Sequence, residues 1–504
     1  MFKQSTYTRI PDRPLASSTT KRRGGNLIVL IVAVATVLVC LTRTSSSSSL
    51  RLGTSTSVHL DVSGSQDTFF CDAATQASGY IKLPHKVDDH YFYWFFESRD
   101  RPATDPLVLW LSGGPGASSL LALLTSNGPC FVGADGNSTT PNPHSWTNHA
   151  NVLWVDEPTG TGFSYGAPTD YDQTQEEIGA NMYAFLERWL DQFPAYMGRP
   201  LFITGESYAG EYIPVIASTI LDRQASANNH TTGIVPINLQ GIALGNAVVS
   251  EIVQATHRAD LIVNNAYNLT LMNDDDARQY QANASLIATL TEQCDRKGNA
   301  TACHLSGALF RQSLFEPLVT IAHVSPYDMR EPATLMPDGR VPADLLVTPT
   351  TERVVAFLNQ PHVRARLNVS TASKPWTITS SDVGRRLAIS DVGQDEPRIA
   401  SLLHRGVRVL VYAGDADLIC NWRGCEAWTL HMRWAGQNAY ANATEETFLW
   451  QGQPAGAGRS AHNLTFLRVF HAGHMVPANQ PQVALAMLER FMHKQVSFWA
   501  DGSS

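Results

Sequence analysis

Apolar positions along the chain fall into short unbroken runs separated by stretches of helical spacing. Residues 91–96, 107–111 and 151–155 are such runs, of the length and content of strands buried on both faces. Residues 176–193 carry apolar side chains at helical spacing and predict a helix. A further run, Pro200-Leu201-Phe202-Ile203-Thr204, leads through Gly205-Glu206-Ser207-Tyr208-Ala209-Gly210 into Tyr212, Ile213, Val215, Ile216, Ile220 and Leu221, again at helical spacing. Pro214 lies early enough in that helix to be tolerated. Residues 239–244, 408–413 and 466–470 predict three more strands, and 351–358 and 482–492 two more helices. Strands alternating with helices define an α/β class, with a central, mostly parallel sheet. Residues 247–352 break the rhythm and contain Asp274-Asp275-Asp276, two cysteines and three glycosylation sequons, so they are expected to form a cap inserted between catalytic-domain segments 67–246 and 353–504.

The amino-terminal pattern is different. Residues 1–25 are polar and basic, and Lys21-Arg22-Arg23 directly precede the apolar run 27–41. The run lies between the length of a signal-peptide core and that of a membrane span. Its basic flank and the lack of a clean small-residue cleavage site predict an uncleaved signal anchor over 26–42, with 1–25 cytosolic; a cleaved signal is the alternative. Residues 43–66, mostly Ser and Thr, are expected to be a stalk. Either way the rest of the chain enters the secretory lumen.

Composition supports that placement. The chain has 504 residues and net charge −8, but residues 1–43 hold seven Lys or Arg against one acid, so the remainder carries 30 bases against 44 acids. That balance excludes nucleic acid as an expected partner. No internal repeat points to a solenoid. Sequons at Asn137, Asn229, Asn268, Asn283, Asn299, Asn368, Asn442 and Asn463 fit luminal glycosylation. Cys71, Cys130, Cys294, Cys303, Cys420 and Cys425 lie beyond the anchor, where disulfides form, and closeness in sequence pairs Cys294 with Cys303. Neither a C-x-x-C pair nor H-E-x-x-H occurs, and no metal or other cofactor is expected.

Chemistry enters at the strand ends. Small residues Gly205, Ala209 and Gly210 let a strand turn sharply into a helix and push Ser207 Oγ out over the sheet, although the pattern is G-x-S-x-A. A nucleophilic serine needs a base and an orienting carboxylate. The run 408–413 leads into Asp415 and Asp417, and 466–470 leads into His471 and His474. Serine, acid, histidine is the α/β-hydrolase order. The strand 107–111 opens into Ser112-Gly113-Gly114-Pro115-Gly116, where glycine lets backbone N–H groups approach an oxyanion.

These motifs resemble the serine carboxypeptidase family, which includes lysosomal cathepsin A and the vacuolar carboxypeptidases. The resemblance covers roughly residues 77–495. It is carried by Gly79-Tyr80, Phe96-Glu97-Ser98-Arg99, residues 110–119, Gly162-Phe163-Ser164-Tyr165, Phe193-Pro194, residues 205–210, residues 412–422 and Gly473-His474-Met475-Val476-Pro477. It implies an α/β-hydrolase with a cap that removes single residues from peptide C-termini in acidic compartments. By the family motif the triad is Ser207, Asp417 and His474, and Gly114 and the Tyr208 amide are oxyanion donors. Substrate carboxylate binding would fall to Trp110, Ser112, Gly113 and Glu206. Two departures stand out: Ser112 replaces the family's Asn, and Ser126 replaces its second Glu. Ala117 replaces the family's loop cysteine, which removes one disulfide. The expected substrate is a peptide or protein C-terminus; an acyltransferase or esterase, or a non-catalytic protective protein, are the other readings. Oligomeric state is open.

Overall fold

The computed structural model describes residues 59–61, 70–227, 235–342, 344–387, 395–493 and 497–501. The expected basic tail, the anchor, most of the stalk and Asn229 lie outside the described residues. By internal contacts the chain divides at Thr54/Ser55, and everything described belongs to the second unit.

Eleven strands form one sheet: β1 (His59–Asp61), β2 (Gln76–Lys82), β3 (His90–Phe96), β4 (Leu107–Leu111), β5 (Asn151–Val155), β6 (Pro200–Glu206), β7 (Asn238–Gly245), β8 (Arg408–Gly414), β9 (Glu446–Trp450), β10 (Gln453–Ala461) and β11 (Leu464–Val469). Their order across the sheet is β1-β2-β3-β5-β4-β6-β7-β8-β11-β10-β9. The six central strands, β5 to β11 in that order, are parallel, and both flanks are antiparallel. Residues 90–96 therefore do not join the parallel run, as their position in the strand–helix alternation suggested: β3 runs antiparallel to β5. A strand buried on both faces carries no sign of its direction. β1 also begins inside the segment expected to be stalk, because an edge strand needs only backbone pairing. β2, β9 and β10 were not predicted; Gln, Gly and Ser break up any apolar run in β2 and β10.

Alternate side chains of β4 enter opposite cores. Leu107, Leu109 and Leu111 pack under the helices Gln175–Gln192 and Ala209–Ala227, whereas Val108 and Trp110 pack with Ser119–Thr125, Pro349–Leu358 and Pro481–Met492. Helices on both faces explain why the central strands read as continuous apolar runs.

Residues 247–352 contribute no strand to this sheet among the described residues. They supply the helices Glu251–Ala255, Asp274–Lys297 and Ala300–Phe310 and the short hairpin Val324–Ser325/Asp328–Pro332. A third apolar cluster includes Leu261, Tyr280, Ile287, Leu314 and Leu318, and packs on Ala416 and Leu418 beside the acid loop. Disulfides join Cys71 to Cys130 and Cys294 to Cys303, and Cys420 and Cys425 are buried thiols. Of the seven described sequon asparagines, none is buried.

Candidate active site

Ser207 follows β6 directly and has φ 64°, a conformation non-glycine residues rarely hold. The turn is tight on both sides: a Cβ on Gly205 would meet Leu111 O at 2.2 Å, and one on Gly210 would meet Val248 O at 2.0 Å. Backbone bonds Ser207 N→Gly245 O (2.9 Å), Gly210 N→Ser207 O (3.1 Å) and Val248 N→Ser207 O (3.0 Å) hold the elbow against the end of β7. Ser207 itself is half-buried and faces a cavity.

Asp417 and His474 follow β8 and β11. His474 Nδ1–H donates to Asp417 Oδ2 at 2.7 Å, which leaves Nε2 as the free lone pair. Asp417 is fully buried, and its carboxylate also accepts from Ile419 N (3.0 Å), Cys420 N (3.2 Å) and Asn246 Nδ2 (2.8 Å). Such bonds fix the direction of the carboxylate. The other residues considered from sequence stand apart: Asp415 accepts from Tyr267 OH, and His471 packs on the Tyr267 ring. Burial pulls the His474 imidazole down, but Asp417, with a smaller contribution from Glu206, outweighs it and raises the group above its ordinary value.

The glycine loop leaves β4, the neighbour of β6. A Cβ on Gly113 would lie 2.3 Å from Tyr208 N, so the loop backbone rests against the elbow amide. Ser112 N donates to Ser119 Oγ (3.1 Å), Ala117 N donates to Gly113 O (2.9 Å), and Gly114 and Tyr208 line the same cavity as Ser207. Trp110 Nε1 donates to Ser112 Oγ (3.2 Å). Ser126 Oγ is buried without a hydrogen-bond partner, as is Glu206 Oε2. Burial raises the Glu206 carboxyl to about 7; His474 lowers it and Asp417 raises it. A second neighbouring carboxyl is therefore not required to keep Glu206 protonated in mild acid.

Two residues of the site were missed from sequence. Asn246 follows β7, donates to Asp417 Oδ2 and accepts from Gly414 N (3.0 Å), tying the ends of β7 and β8 to the acid. Tyr327 lies between the hairpin strands; its carbonyl accepts from His474 N (2.7 Å) and its ring centre is 5.2 Å from the imidazole. An Asn two residues past a predicted strand was a usable signal for the first, whereas a backbone carbonyl leaves none. Asp417, Cys420 and His474 also present ligand-type atoms within 4.8 Å of one another, but two of the three are already committed to each other.

A strained serine over a parallel sheet, a buried Asp–His pair past the second and third strands beyond it and a glycine loop beside the elbow define a serine hydrolase of the α/β-hydrolase fold. Residues 68–494 match the sequence profile of the family described as serine carboxypeptidase, and the chain belongs to that family. Serine carboxypeptidase-like 47 of Arabidopsis thaliana is 36% identical over 82% of this chain and 78% of its own length. Carboxypeptidase Y of Schizosaccharomyces pombe is 33% identical over 86% of this chain and 42% of its own length. A prohormone-processing carboxypeptidase of Saccharomyces cerevisiae shares the fold, with TM-score 0.72 and 23% identity over 83% of this chain and 91% of that one.

Proposed function

We propose that this protein is a serine carboxypeptidase that removes C-terminal residues from peptides through an acyl-enzyme on Ser207. The observation that carries this reading is the buried Asp417–His474 pair, 2.7 Å apart, set on the same strand-end row as the strained Ser207. His474 Nε2 takes the Ser207 proton as Oγ attacks the scissile carbonyl, then gives it to the departing amine; water, activated the same way, releases the acyl group. The N–H groups of Gly114 and Tyr208 receive the oxyanion. The substrate's terminal carboxylate lies against Trp110, Ser112, Gly113 and Glu206, where the protonated Glu206 donates. Asn246 and Tyr327 hold the acid and base in place, and residues 247–352 cap the site.

Ser207→Ala, Asp417→Asn and His474→Ala should each lower kcat/KM for an N-blocked dipeptide by about 10⁴- to 10⁶-fold, non-additively, with circular dichroism unchanged. Normal turnover by Ser207→Ala would remove the nucleophile assignment. The hydroxyls of Ser112 and Ser126, standing where relatives place stronger carboxylate binders, favour a second reading as an acyltransferase. Transfer of the acyl group to an alcohol in preference to water would favour it.

The basic flank, apolar run and sequons support a membrane-anchored, luminal, glycosylated enzyme. Among the described residues no helix is long and apolar enough to cross a membrane, and the apolar run lies outside them. The full chain should stay in the pellet after an alkaline carbonate wash; recovery as a soluble protein beginning near residue 45 would show a cleaved signal instead.

A further inference from the structure

Two cavities flank the junction of nucleophile and base. One, of about 270 Å³, is walled by Ser207, Tyr208, Phe310, Phe315 and Ile419. The buried pair Arg258–Glu251 also lines it and compensates its own charge. The other, of about 520 Å³, contains His474 and Met475 but not Ser207. Tyr327, whose ring packs on the His474 imidazole, lines both. The departing amine must meet the imidazole that protonates it, so the side chain of the released residue falls on the His474 side. The second cavity is therefore the one that receives it.

Its charge is one-sided. Asp328 and Glu331, both from the strand Asp328–Pro332, line it, and among the described residues no Lys or Arg does. Arg330, between them in sequence, binds Asp328 Oδ1 through Nε (2.8 Å) and lies over the Tyr267 ring, outside the lining. Asp328 is thus partly compensated, which leaves Glu331 as the exposed, uncompensated carboxylate of the wall. The other titratable groups among its lining residues are His474 and the phenol of Tyr327.

We propose that this cavity selects a basic C-terminal residue, Lys or Arg, with Glu331 as the specificity residue, and that the first cavity takes an apolar side chain before it. The inference rests on the carboxypeptidase reading. A partly solvated ion pair gives modest discrimination, on the order of two- to fivefold, screened by salt.

The test compares kcat/KM for N-blocked Phe-Lys, Phe-norleucine and Phe-Glu at about pH 6, at about 20 mM and about 500 mM ionic strength. Norleucine keeps the four-carbon side chain of lysine without the terminal ammonium. Lys should exceed norleucine, and norleucine Glu, at low salt, with the ratios shrinking at high salt. Glu331→Gln should bring Lys and norleucine together by lowering Lys turnover, and Glu331→Lys should reverse the order. Norleucine equal to Lys at low salt, or an unchanged ratio in Glu331→Gln, overturns the assignment while the carboxypeptidase reading stands. Should no substrate be cut faster by the native enzyme than by Ser207→Ala, the carboxypeptidase reading fails and this inference with it.

Discussion

Glu206 is held in its acid form by burial to about 7, with one oxygen left without a partner beside the catalytic pair. It raises His474 and His474 lowers it, so each favours the charged form of the other. A neutral Glu206 can donate to a substrate carboxylate; an ionised one repels it. We therefore expect kcat/KM for free-acid peptides to fall as pH rises through about 7, while matched C-terminal amides keep their activity there. Glu206→Gln, which donates at any pH, should abolish that descending limb. Parallel profiles for acids and amides would refute the role. Restoring the family pattern with Ser112→Asn and Ser126→Glu should raise the preference for acids over amides on the order of 10-fold or more, since each charged hydrogen bond contributes about 1.5 to 3 kcal/mol.

At the scale of elements, the elbow depends on two close approaches that no larger side chain permits. Gly210 packs its Cα against the carbonyl of Val248, so Gly210→Ala must move the turn or the loop after β7. Overpacking of this kind costs about 1 to 3 kcal/mol. We expect a lower Tm together with a fall in kcat larger than any change in KM, because the displaced residue is Ser207; an unchanged kcat would place the elbow's tolerance elsewhere. This element was legible in the sequence for the same reason it is fragile, since small residues must stand at fixed offsets around the serine. The six central strands were legible because burial on both faces leaves an apolar run. β2 and β10 were not, since antiparallel flanks need no such run. Tyr327 and Glu331 lie in the arrhythmic 247–352 segment, where spacing says nothing about what meets the sheet. Two acids and two histidines were in play after β8 and β11, and hydrogen bonding separates them in space.

Across the whole molecule, a set of buried carboxyl groups titrates late. Burial raises Asp89 to about 7 and Asp156 to about 6, and lifts Glu157, whose oxygens have no partner, well above the usual range. Between about pH 4 and 7 the folded state keeps these protons and the unfolded state has lost them, so stability falls as pH rises across that window. His474, raised above 6.5, acts in the same direction as pH rises through its folded value. Asp88 and Asp170, held low, contribute stability that disappears only in stronger acid. Urea denaturation should give a greater unfolding free energy at pH 5 than at pH 8, by on the order of 3 kcal/mol. Glu157→Gln should flatten the dependence; equal stability at both pH values in the native chain would contradict it.

The order of strands also sets a schedule. Ser207 is translated early, but its base follows β11, 267 positions later. Chain growth at roughly 5–20 residues per second puts roughly 15 to 50 seconds between the two. For that interval the nascent chain has a nucleophile with no base to activate it, so the enzyme cannot cut anything until its own synthesis is nearly done.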